Sequence, residues 1–320
     1  MSKKIALVFP GQGSQNIGMG SDVVNDFKEA REVFEEVNDT LKFNLSKIIF
    51  DGPEDKLTNT ANTQPALMTV SMAILRVIEK ELKKKVFQFS DIVLGHSLGE
   101  YSALCSSDVI SLKDTALLLR IRGKAMQDSV KGIDTKMTAV IGFDVFQVEN
   151  IMNELKLPPN EVCEIANDNC PGQVILSGTK EGVEFVSEKL KNEGVKALID
   201  LKVSAPFHCK LMEKASIIMK ESLKSVKFGF LKTNFISNVT ADYVEDSKLL
   251  KELLIKQVCS RVRWRESIKK TSEKCDTIIE IGSGKVLTGM NKRINRDLNL
   301  FNISSSEDIG NFLNSFGGKL

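Results

Sequence analysis

Histidine is scarce in this chain, with two among 320 residues. Cysteine is commoner, but Cys105, Cys163, Cys170, Cys209, Cys259 and Cys275 include no Cys-x-x-Cys pair. That combination excludes a zinc site built on paired ligands and a disulfide framework, so reduced, mostly buried thiols are expected. No apolar run approaches the roughly 20 residues that a membrane span needs. Met1-Ser2-Lys3-Lys4 runs straight into an apolar strand-like segment with no signal-peptide core, so a cytoplasmic protein is expected. An excess of one charge is also missing: 44 Lys and Arg against 42 Asp and Glu leave a net +2, too balanced for a general nucleic-acid binder. There is no internal repeat and no low-complexity tract. What remains is a chain with 42% hydrophobic residues, long enough to bury one large core or a core with a smaller satellite domain.

Short apolar segments at 5–9, 91–94 and 277–281, separated by amphipathic stretches, predict an α/β fold on a mainly parallel sheet. From Thr138 the order changes to strand (TAVIGF), helix (VFQVENIMNEL), strand (VCEIA), strand (QVILSG), helix (EGVEFVSEKLKNEG), strand (KALIDL). This β-α-β-β-α-β order is that of a ferredoxin-like unit, which predicts a small domain inserted at 130–201 into a large domain made of 1–129 and 202–320. The Lys83-Lys84-Lys85 run reads as a solvated helix end.

The first apolar segment leads into FPGQGSQNIGMG, residues 9–20. A glycine-rich turn after a strand often aims backbone amides at a phosphate. The spacing here fits no such site: after Gly11 and Gly13 a dinucleotide loop requires glycine where Asn16 stands, and no Gly-Lys-Ser/Thr follows.

The chemistry concentrates in DIVLGHSLGEYSALCSS. A short apolar strand entering Gly95-His96-Ser97-Leu98-Gly99 and then a helix-compatible stretch has the form of a nucleophile elbow. Its glycines permit a tight turn that projects Ser97, and the new helix brings positive dipole and free amides beside it. A serine nucleophile needs a base. His96 adjoins Ser97, and successive side chains at a strand end diverge, so His96 is expected to be a packed structural histidine. His208, in SAPFHCKLM, remains.

Ser111-Leu112-Lys113-Asp114 has the pattern of a capping box. At 100° per residue, Leu112, Thr115, Leu118, Leu119, Ala125 and Met126 fall within about 80° of Arg122. Arg120 lies about 200° away, among Lys113, Lys124 and Gln127, on what is expected to be a solvated face. Arg122 is thus placed on the apolar face, where a guanidinium is costly without an anion; a structural carboxylate and a substrate carboxylate meet that need equally well.

FPGQGSQ, NTQPA, GHSLGEYSA, RGKAMQ, SAPFHCKLM and GSGKVLTG, in order along nearly the whole chain, resemble the malonyl-CoA:acyl-carrier-protein transacylase family of type II fatty-acid synthesis. The resemblance implies an α/β-hydrolase-like large domain with a ferredoxin-like insert. It also implies ping-pong transfer of a malonyl group from malonyl-CoA to the phosphopantetheine thiol of acyl carrier protein. No metal, no cofactor and no membrane or nucleic-acid partner is expected, and the chain is expected to be a monomer. Residue by residue, it implies Ser97 as nucleophile, His208 as its base, the backbone carbonyl of Gln257 as the group orienting that histidine, and Arg122 as the ligand of the malonyl carboxylate. The backbone amides of Gln12 and Leu98 correspond to the oxyanion hole, which gives the opening loop its use. Gln64 and Asn169 correspond to polar residues lining the site, although helix-start and turn roles explain them as well. Phe207 resembles the residue of malonyl-selective relatives. Lys285, Lys292, Arg293 and Arg296 are candidates for docking an acidic carrier protein.

Other readings share part of this evidence. An α/β-hydrolase-type esterase or thioesterase has the same elbow and needs an acid to orient its histidine, for which Asp168 and Asp200 are available. A trans-acting acyltransferase of polyketide synthesis is the nearer alternative, and a non-catalytic carrier-binding module on a decayed scaffold the more distant one.

Overall fold

The computed structural model describes residues 4–316, so Met1, Ser2 and Lys3 of the opening segment lie outside the described residues. Two sheets organise the chain. The larger has the order β10-β9-β1-β2-β7-β8, from β1 (Ile5–Phe9), β2 (Ile92–Gly95), β7 (Asn234–Ile236), β8 (Tyr243–Val244), β9 (Thr277–Ile281) and β10 (Asn299–Ile303). Every pairing in it is parallel except β7 with β8 at the edge. β1, β2 and β9 are buried along their whole length, as expected of parallel strands covered by helices on both faces.

The smaller sheet has the order β4-β5-β3-β6, from β3 (Thr135–Ile141), β4 (Cys163–Cys170), β5 (Gln173–Thr179) and β6 (Ala197–Asp200), and is antiparallel throughout. With the helices Val145–Asn153 and Lys180–Asn192 it reproduces the β-α-β-β-α-β order read from the sequence. Strand alternation explains how it packs. Met137 and Ala139 of β3 face the large core, whereas Val140 joins Val148, Val174, Leu176 and Val186 in a second core of its own.

Two close approaches position the site. A Cβ on Gly95 would lie 2.0 Å from the Gly99 carbonyl, and one on Gly99 would lie 2.3 Å from the Phe9 oxygen, so the turn after β2 closes against β1 only with glycine at both positions. The helix Leu112–Asp128 likewise meets the start of the helix Thr60–Leu82 at Gly123, where a Cβ would come within 2.5 Å of the Thr60 oxygen. Ser111 caps the first of these helices, its Oγ accepting from the Asp114 amide at 3.0 Å.

Candidate active site

β1 and β2 are paired with Phe9 opposite Gly95, so the glycine-rich loop and the elbow leave adjacent strand ends together. Ser97 takes φ +54°, a left-handed conformation rare outside glycine and the expected strain of an elbow. The turn is pinned from both sides. The His96 amide donates to the Phe9 carbonyl at 3.0 Å, and the Ser97 amide donates to Asn238 Oδ1 at 2.7 Å, beyond the end of β7. Asn238 Nδ2 in turn donates to the Gly95 carbonyl at 2.8 Å.

His208 arrives from the loop between β6 and the short helix Lys210–Met212, also at positive φ, +60°. Its Nε2 lies 2.8 Å from Ser97 Oγ, and its Nδ1 lies 2.9 Å from the Gln257 carbonyl oxygen and 3.1 Å from that of Ser260. Carbonyl oxygens only accept, so Nδ1 carries the ring hydrogen. Nε2 is then bare and accepts from the serine hydroxyl, the tautomer a general base needs. Burial, reinforced by the neighbouring Arg122 charge, pushes the His208 pKa down to about 3, keeping the imidazole neutral.

Asp168 and Asp200 do not take part. Asp168 is buried and forms an ion pair with Arg265 at 2.8 Å, and Asp200 pairs with Lys136 at 2.9 Å. The histidine is oriented by two backbone carbonyls in place of an acid, which removes the geometric basis of the hydrolase reading.

Arg122 is 1% exposed. Its Nη1 donates to Gln64 Oε1 at 2.9 Å, and its Nη2 to Gln257 Oε1 at 2.7 Å and to Ser97 Oγ at 3.2 Å. The Tyr101 ring lies 5.8 Å from the guanidinium carbon. Of the two carboxylates expected at Arg122, a structural one is absent among the described residues: all three acceptors are uncharged, and Nε, though buried, has no partner there. Gln64, in the second turn of its helix, is therefore a ligand of Arg122.

Arg120 departs from expectation. Its face of the helix is not simply solvated there, because Nη1 donates to the Ala61 carbonyl at 2.9 Å and to Asn62 Oδ1, and the guanidinium covers the Phe43 ring at 4.7 Å. The approach at Gly123 brings the second helix within its reach.

Asn169 lies on a strand, β4, not in a turn, and its Oδ1 meets His96 Nε2 at 2.9 Å. That strand is drawn toward the site by bonds between Asp168 and Val262 and between Val262 and Ala166, at 2.9 and 2.8 Å. The His96 ring turns away from the Ser97–His208 pair, tilted against Trp264 with centroids 5.6 Å apart. Gln12, Leu98, Gln64, His96, Asn169, Phe207 and the Ser97–His208–Arg122 group all border one cavity of about 270 Å³. Lys285, Lys292, Arg293 and Arg296 are exposed before, on and after the helix Val286–Ile294, whose Val286, Leu287 and Met290 reach the same cavity.

Sequence reasoning passed over Asn238, Ser260, Glu100 and the side chain of Gln257. Glu100 alone carried a signal: it is an acid in the otherwise uncharged helix Gly99–Ser106, all of which is buried. Burial raises its carboxyl to about 7, against the pull of its hydrogen-bond donors.

Residues 6–308 match the family described as acyl transferase domain. The malonyl CoA-acyl carrier protein transacylase of Bacillus subtilis (strain 168) is 42% identical over 307 residues, 96% of this chain and 95% of that protein. Among solved structures, the acyl-carrier-protein S-malonyltransferase of Bartonella henselae superposes with a TM-score of 0.94 at 47% identity, covering 98% of this chain and 99% of that one. A malonyl-transacylase solved in complex with its type II polyketide acyl-carrier protein superposes with a TM-score of 0.92 at 34% identity, covering 98% and 99%.

Proposed function

Since the chain belongs to the acyl transferase domain family, we propose that it transfers the malonyl group of malonyl-CoA to the phosphopantetheine thiol of acyl carrier protein, supplying extender units for fatty-acid synthesis. One observation carries the choice of acyl group. A buried guanidinium with only uncharged protein acceptors stands 3.2 Å from the hydroxyl of Ser97. That spacing suits an acyl chain whose carboxylate is one methylene from the thioester carbon, and a carboxylate accepts two parallel bonds from the planar fork of Arg122.

Ser97 Oγ attacks the thioester carbon while His208 Nε2 takes its proton. The developing oxyanion is received by the amides of Gln12 and Leu98, a contribution typically worth about 10² to 10³ in rate. Collapse breaks the carbon–sulfur bond, the imidazolium returns its proton to the departing thiolate, and malonyl-Ser97 remains. The carrier thiol repeats these steps in reverse, losing its proton to His208 and restoring the Ser97 hydroxyl. The Gln257 carbonyl holds the imidazole throughout, and Asn169 fixes His96 on the cavity wall. Nucleophile and base are both side chains, so this chemistry calls for no metal or cofactor.

On the same footing, residues 130–201 form an inserted small domain within a large domain of 1–129 and 202–320, supported by the separate apolar core around Val140 and Val174. On this reading the enzyme acts as a monomer in the cytoplasm; among the described residues no helix is long and apolar enough to cross a membrane. The test is incubation with malonyl-CoA and holo acyl carrier protein, with the carrier's mass as readout. Malonyl-carrier should accumulate in step with released coenzyme A. Release of coenzyme A with the carrier unmodified identifies a hydrolase and refutes the proposal.

A further inference from the structure

The acyl-transfer steps leave Glu100 without a part, although it is fully buried in the first helical turn after Ser97. Its Oε1 accepts from the Asn238 amide and its Oε2 from Gln257 Nε2, each at 2.5 Å. The same Nε2 donates to the Ser97 carbonyl at 2.8 Å. With Glu100 ionised, both oxygens facing Nε2 are acceptors, which fixes the orientation of the Gln257 amide: nitrogen toward Glu100 and Ser97, oxygen toward Arg122. A turned amide would set an N–H group against the guanidinium and an oxygen against a carboxylate.

The amide also stands between two opposite charges. Were Glu100 to reach Arg122 directly, the pair would neutralise each other and leave little attraction for a substrate carboxylate. With Gln257 interposed, the acid sets the geometry of the arginine while the acceptors on the arginine stay uncharged.

We propose that Glu100 is a positioning residue for substrate selection: its carboxylate locks the Gln257 amide so that Arg122 is aimed and left unpaired for the carboxylate of the acyl substrate. The proposal rests on the malonyl-transfer reading. Glu100→Gln tests it at nearly constant volume. The Asn238 amide is backbone and cannot turn, so it claims the one carbonyl oxygen of the new side chain. The new NH₂ group then meets Gln257 Nε2, and relief requires Gln257 to turn over, presenting N–H to Arg122.

The measurement is kcat/KM for malonyl-CoA and acetyl-CoA at pH 8, where Glu100 is ionised, with carrier as acceptor, per acylatable serine, alongside a thermal melt. The ratio of the two is expected to fall at least tenfold in Glu100→Gln, through malonyl and not acetyl. Glu100→Asp keeps an acceptor-only carboxylate that is one methylene too short to serve both donors, so a smaller fall is expected; it carries the comparison if Glu100→Gln does not fold. A purely structural role lowers the melting temperature and the active fraction but leaves the ratio per serine unchanged, and that result overturns the proposal. A wild type without preference for malonyl-CoA overturns the malonyl reading and this proposal with it.

Discussion

Replacing Arg122 with alanine should convert a malonyl-selective site into one indifferent to the substrate carboxylate. The guanidinium is 1% exposed, and its Nη2 touches both Gln257 and Ser97, so an incoming carboxylate meets a desolvated cation beside the nucleophile. Removing one partner of such a buried, hydrogen-bonded charge pair costs about 2–5 kcal/mol, roughly a 30- to 5,000-fold loss in kcat/KM for malonyl-CoA. Acetyl-CoA offers the arginine nothing and should lose little, or gain, because Ser97, His208 and the two amides remain. Lysine should restore malonyl transfer only in part, being a point charge without a fork. The assay is the malonyl to acetyl ratio of kcat/KM, corrected by titration of reactive serine, since truncation also deprives Gln64 and Gln257 of a donor, at about 1–3 kcal/mol each. If both substrates fall equally and the ratio stands, Arg122 is a structural residue and selectivity arises elsewhere.

His208→Ala should slow acylation by about 10² to 10⁴, the usual loss of a general base. Asp168→Asn should cost stability by breaking the buried pair with Arg265, yet leave the rate per folded molecule within a few-fold; an effect on rate equal to that of His208→Ala contradicts the carbonyl-oriented histidine. Burial raises the Glu100 carboxyl from 4.5 to about 7, so its contribution to stability is full below pH 4.5 and is lost as pH rises through about 7. Urea unfolding at pH 5 and pH 8 should therefore show wild type losing more stability than Glu100→Gln over that interval, by a difference on the order of 3 kcal/mol; parallel changes refute it. If Lys285, Lys292, Arg293 and Arg296 draw in an acidic carrier, the carrier KM should rise between low and high salt while the malonyl-CoA KM changes less, because rim charges mainly speed encounter and are screened. A salt-independent carrier KM removes that surface from consideration.

The parts of the site legible in the sequence are those that depend on local rules. An apolar strand running into Gly-x-Ser-x-Gly specifies the elbow through sterics confined to five residues, and the clashes at Gly95 and Gly99 are that constraint in three dimensions. Helical periodicity put Arg122 on a buried face without knowledge of its neighbours. What that face packs against was not legible, because Gln64 and Gln257 are separated from Arg122 by 58 and 135 residues. Arg120 differs for the same reason: periodicity gave its direction but not the helix that meets it at Gly123. Asn238 and Glu100 meet across 138 residues, and nothing local distinguishes Asn238 from any polar residue after a strand. Among strands, the β-α-β-β-α-β run stood out, whereas β7 and β8, three and two residues long, are too short to show a period.

The central claim is a covalent malonyl-serine made by this chain alone. Intact-protein mass spectrometry after mixing with malonyl-CoA, without carrier, followed by peptide mapping, tests it most directly. The account requires one malonyl group per chain, on Ser97, stable until a carrier thiol is added and absent from Ser97→Ala. Steady release of coenzyme A with no adduct, or an adduct that persists in Ser97→Ala, contradicts it.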